Sequence, residues 1–183
     1  CIRDRITPVA FCAVFALSGA VGPIVGQNAG AGLYDRVRST LRDAMIFNTC
    51  YVLAVWLLLA LSAGFIVEAF SASEEAAELI RFYCYWLVPA FAFNGTLFIA
   101  NASFNNLRHP QLAAAFNFGK ALLGTIPLVW LGARWYQAPG VMAGEAVAGV
   151  VFGILGFVAV FALVRRLERR HGDAAAALAG APD

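Results

Sequence analysis

The sequence predicts an all-α integral membrane protein with five transmembrane helices, and three observations carry that expectation. Of 183 residues, 61% are hydrophobic and 13% charged, with a mean hydropathy of +0.74. A soluble domain is nearer half apolar and a quarter charged. The apolar residues gather into runs of about the 20 residues that a helix needs to cross a bilayer, and the charges fall between the runs. Spanning segments must satisfy their own backbone hydrogen bonds. Runs this long and continuously apolar suit helices, not the alternating strands of a barrel.

The first run, at about 6–27, ends in GPIVGQNAGAG, residues 22–32. Ser18, Gly22, Gly26 and Gly30 recur every four residues and share one helical face, a pattern that lets two helices in lipid approach closely. Gly30 and Gly32 are suited to end the helix, because glycine adopts the left-handed cap conformation without steric cost. The charge cluster YDRVRSTLRD follows, then a second run at 44–67. The third run, 82–104, holds Pro89 and places Asn94, Asn101 and Asn105 on one face. The fourth, 112–133, holds Asn117, Lys120, Gly124 and Pro127. The fifth, 141–164, repeats a small-residue face with Glu145, Gly149, Gly153 and Gly156. Residues 165–183 read as a tail with little to pack, expected to be disordered.

Arginine placement orients the bundle. Arg36, Arg38, Arg42, Arg108, Arg165, Arg166, Arg169 and Arg170 fall on one side, and Arg3, Arg5, Arg81 and Arg134 on the other with Glu68, Glu74, Glu75 and Glu78. The positive-inside rule then puts the C-terminus in the cytoplasm of a plasma (inner) membrane protein. An odd number of spans leaves Cys1 outside, so further sequence upstream is expected.

The excluded functions are as informative. A net charge of +2, with arginines in short clusters and no interleaved aromatics, does not suit nucleic acid. Cysteines 1, 12, 50 and 84 form no CxxC and have no histidine nearby, so neither a metal site nor a disulfide framework is indicated. No nucleophile, base and acid come together in the sequence, and no enzyme or cofactor is expected.

The site candidates are polar residues inside spans, where each is costly and usually faces the bundle interior. Asn94, Asn101, Asn117 and Lys120 are candidates for a substrate cavity. Interhelical hydrogen bonds are the alternative use of the asparagines, and snorkelling to the headgroups that of Lys120. Glu68 and Glu145 sit near span ends, where water explains them.

The stretches GPIVGQNAGAGLYDRVRSTLRDA and ANASFNNLRHPQLAAAFNFGKALLGTIPLVWLG resemble two separated motifs of the multidrug and toxic compound extrusion (MATE) family, over about residues 6–165. Gly22, Gly26, Gln27, Asn28, Gly30 and Gly32 carry the first motif. The resemblance implies helices 8–12 of a twelve-helix, two-lobe fold, with an N-terminal lobe and seventh helix outside this chain. It implies export of small cationic or amphipathic drug-like molecules by antiport against H+ or Na+. The third span has no acid where some family members bind the coupling ion, so the ion's carboxylates are expected outside this chain. A lipid-linked sugar flippase of the same superfamily, or a non-transporting membrane scaffold, are the alternatives.

Overall fold

The computed structural model describes residues 12–69 and 73–179, and every regular element among them is helical. Helix α1 spans Cys12–Gly30 and α2 Tyr34–Ala69. Helix α3, Glu74–Phe82, runs through a π turn, Tyr83–Leu87, and a 3-10 turn, Val88–Ala90, into α4, Phe91–Asn106. Helix α5, Pro110–Gly119, passes through a second π turn, Lys120–Thr125, into α6, Ile126–Ala179. The expected positions 6–11 and 180–183, with Cys1, Arg3 and Arg5, lie outside the described residues.

Four helical stretches are long and apolar enough to cross a membrane: Cys12–Gly30, Tyr34–Ala69, Ala76–Asn106 and Pro110–Asp173. The fourth is 64 residues long and contains the expected fourth and fifth spans. It is not one rod. Tyr136 (φ −131°, ψ 15°) and Gln137 (φ 49°, ψ −127°) leave helical geometry, and Gly132 lies against the Gly140 carbonyl while Gly144 lies against that of Leu128. These pairings fold 126–135 back on the residues after 138. Two glycines facing one another permit the closest approach of two backbones.

Other helices run past their expected ends. Helix α2 begins at Tyr34, taking in the charge cluster, with Asp35 in its first turn beside the helix dipole's positive end. Asp35 pairs with Arg38 at 3.6 Å. Helix α6 continues to Ala179, which corrects the expectation of a disordered tail for 165–179. Part of that extension is held in place: Arg38 donates to Glu168 at 2.5 Å, and the His171 ring packs on Tyr34 and over Gly32.

The end of α1 is a Schellman cap. Leu33 N donates to Asn28 O (2.9 Å) and Gly32 N to Ala29 O (3.1 Å), with Gly32 at φ 72°. Gly32 therefore supplies the left-handed residue, while Gly30 is the last helical one.

Packing centres on α4, against α1 on one side and the second arm of α6 on the other. Gly22 and Gly26 lie against Asn106, whereas Gly30 has nothing within 4 Å. On the other side Gly149, Gly153 and Gly156 meet Asn94, Phe93 and Leu97. One buried cluster, including Val25, Leu41, Phe104 and Val160, lies toward the capped end, and another, including Val52, Leu59 and Val88, lies beyond it. Leu61, Phe65, Trp86 and Leu123 are 73–79% exposed, the arrangement of a bundle whose solvent is lipid.

Candidate functional site

The four candidate residues meet as two pairs bridging α4 and the α5 segment. Lys120 Nζ donates to Asn94 Oδ1 at 2.5 Å, and Asn101 Nδ2 to Asn117 Oδ1 at 3.0 Å. The seven-residue spacing from Asn94 to Asn101 puts them on one face of α4, two turns apart. The facing residues, Asn117 and Lys120, run antiparallel to them, one turn apart. Each pair joins two helices inside apolar surroundings, where a polar side chain is costly unless bonded.

Asn94 is also fixed from behind. It packs so tightly on Gly149 that a methyl group there would lie 2.5 Å from Asn94 Nδ2. Lys120, rather than reaching toward a headgroup layer, points its ammonium at α4. Its position starts the π turn, a widening of the helix that is frequent at functional sites.

Two residues that the sequence left aside join this picture. Glu145 lines a cavity of about 20 Å³ with Asn94, Tyr83, Phe91 and Met142, space for about one water molecule. It also acts electrostatically on Lys120. The cluster Lys120, Asn94 and Glu145 thus brings a cation, an amide and a carboxylate together from three segments. The second is Asn48, fully buried, donating to the Ala92 carbonyl at 2.8 Å. Its Oδ1 and that of Asn101 are buried with no hydrogen-bond partner among the described residues. The rule that marked Asn94 would have marked Asn48 too, since both are polar residues within an apolar run.

The motif residues Gln27 and Asn28 stand apart from this cluster. Gln27 is exposed, its carbonyl accepting from Ala31 N at 3.1 Å, and Asn28 Nδ2 donates to Ile24 O at 2.8 Å. Both belong to the helix end that Gly32 caps. Among the described residues, no three His, Cys, Asp or Glu side chains are grouped to hold a metal ion.

Comparison with known proteins agrees with this architecture. Residues 2–131 match the MatE family model. Over 164 residues the chain is 32% identical to the "Uncharacterized 21 kDa protein in iaaL 5'region" of Pseudomonas savastanoi, covering 86% of this chain and 52% of that one. It is 25% identical over 150 residues to the FAD transporter of Shewanella oneidensis, covering 82% of this chain and 33% of that protein. The fold is similar to a mutant of the Vibrio cholerae MATE transporter VcmN, with a TM-score of 0.84 at 21% identity over 91% of this chain and 39% of that one. The chain thus spans about half and a third of the curated relatives it matches. The family is one of transporters, not enzymes, and the chain, a multi-pass membrane protein with a MATE-like fold over the region compared, belongs to the MatE family.

Proposed function

We propose that the chain forms the C-terminal lobe of a MATE-type exporter, crossing the membrane five times and corresponding to helices 8–12 of a two-lobe protein. In this reading the lobes rock about a midplane site and expose it to either side in turn. The cargo is a small cationic or amphipathic molecule exchanged for H+ or Na+. The observation that carries it is the pair of bridges, Asn94 to Lys120 and Asn101 to Asn117, which concentrates costly polar groups on one seam of the bundle. The coupling ion would bind carboxylates in the rest of the protein, since the one acid at this seam among the described residues, Glu145, already acts on Lys120.

A second reading of the cargo is favoured by Lys120. An ammonium at the seam repels a cation and attracts an anion, and one relative is named a FAD transporter. The test for both is efflux from liposomes containing the whole protein under a proton or sodium gradient, with ethidium and FAD as probes. Gradient-driven ethidium export supports the first reading. FAD export that falls at least tenfold in Lys120→Met supports the second. Export of neither probe under either gradient would overturn both.

A further inference from the structure

A groove of about 690 Å³ lies between α2 and the second arm of α6, away from the polar pairs. Arg38 and Arg42 on α2 and Arg165 on α6 line it, together with Met45, Ile46, Phe157 and Phe161. Positions 38, 42, 45, 46 and 49 form one face of α2, and 157, 161 and 165 one face of α6. The two helices run in opposite directions, and the contact of Arg38 with Glu168 ties their charged ends together. All three guanidinium groups therefore gather at one end of the groove and the apolar side chains continue from it.

We propose that this groove binds an anionic phospholipid. Arg42 and Arg165 hold its phosphate, and its acyl chains lie along Ile46, Phe157 and Phe161. Charge decides the occupant. Arg38 is partly neutralised by Glu168 and Asp35, though its Nε is buried with no partner among the described residues. Arg42 and Arg165 are exposed and make no ion pair or hydrogen bond with a described residue. Guanidinium groups match phosphate oxygens in a two-pronged geometry, and two helices presenting one each define a site rather than a diffuse patch. The apolar half decides the source of the phosphate. Ile46 and Phe157, 50% and 45% exposed, offer nothing to a free phosphate but give an acyl chain a groove to lie in. Basic pockets between membrane helices near one surface are where anionic lipid headgroups bind.

The test uses the whole protein extracted from its membrane, stripped of lipid, and titrated with phosphatidylglycerol or phosphatidylcholine while retained lipid is counted by native mass spectrometry. At least tenfold preference for phosphatidylglycerol is expected, lost in the double variant Arg42→Gln with Arg165→Gln. It should persist in Arg169→Gln with Arg170→Gln, which removes the same charge outside the groove. Loss in both double variants, or in neither, overturns the site in favour of general membrane electrostatics. Inorganic phosphate, added at millimolar concentration, should not displace the lipid; displacement would assign the arginines to a free anion. Should the first double variant fail to fold, Cys50, which also lines the groove, is labelled with bimane in a protein whose Cys1, Cys12 and any cysteine outside residues 1–183 are serine, the buried Cys84 being left in place. Brominated phosphatidylglycerol should quench it several-fold more than brominated phosphatidylcholine. Equal quenching overturns the proposal.

Discussion

Arg108 holds φ 63°, a conformation that costs a side-chain-bearing residue about 1–2 kcal/mol. It does so because α4 ends as α1 does: His109 N donates to Phe104 O (2.9 Å) and Arg108 N to Asn105 O (3.3 Å), the same cap that Gly32 makes. Replacing Arg108 with glycine removes the strain and gives back part of the gain as unfolded-chain entropy, about 0.5–1 kcal/mol. Arg108→Gly should therefore raise stability by about 0.5–1 kcal/mol, seen as a higher thermal midpoint in detergent, while Arg108→Val should lower it. A different outcome is expected at Gly22, whose Cβ would collide with the Asn106 amide. Gly22→Leu should cost about 1–3 kcal/mol by overpacking, whereas Gly64→Ala, with nothing within 4 Å, should gain about 0.5–1 kcal/mol from helix propensity. Equal melting of the two variants would contradict the close contact of α1 with α4. The glycine spacing made the α1 face readable in the sequence. That Asn106 is what the face meets was not readable, because spacing says which residues share a side and nothing about the partner.

Both π turns end just before a proline, Leu87 ahead of Pro89 and Thr125 ahead of Pro127. Proline has no N–H for the carbonyl four residues back and its ring crowds that carbonyl, so a local widening relieves the clash. At Pro89 the carbonyl concerned is that of Tyr85, and it accepts the Trp56 indole N–H at 3.1 Å. Helix α2 thus supplies the donor that proline removed, which is how kinked membrane helices are tolerated. Trp56→Phe should leave that carbonyl without its bond and cost about 1–3 kcal/mol. The cost should shrink in a Pro89→Ala background, where residue 89 again has an N–H to offer. A double-mutant cycle on thermal stability measures the coupling, and additive effects would show that Trp56 acts by packing alone. The prolines are visible in the sequence. The π turns are not, because they depend on which neighbour relieves each kink. The same holds at the helix ends: the clusters at 34–43 and 165–170 looked like loops by composition, yet Arg38 meets Glu168 across 130 residues. The polar pairs were half legible, since period and burial cost marked Asn94, Asn101, Asn117 and Lys120. Glu145 was passed over because its place near a span end suggested water, whereas folding sets it beside Asn94.

The geometry sorts the connections between helices into two ends. At one end Gly32 meets His171, Arg38 meets Glu168, and Gly26 lies against the Asn106 carbonyl just before Arg108. At the other, Glu78 and Phe82 line one cavity with Tyr136, Gln137 and Pro139. The run Pro110–Asp173 would be about 96 Å long as one straight helix at 1.5 Å per residue, three times the hydrocarbon thickness. Reversal at Gln137, with Gly132 against Gly140, turns that run into two arms, 110–135 and 138–173, each long enough for one crossing. The final prediction follows from this pairing of ends. A reporter active only outside the cytoplasm, inserted after Gln137 in the whole protein, should give the same signal as one between Glu74 and Glu78, and the opposite signal to one after Arg170. The gathering of Arg36, Arg38, Arg42, Arg108 and Arg165 at the first end makes that end the cytoplasmic one in our reading. The Gln137 and Glu74 insertions should then be active and the Arg170 insertion silent. Matching signals after Gln137 and Arg170 would mean that the long run does not cross twice, and the five-crossing lobe would fall. All three signals inverted would keep the fold and overturn only its orientation.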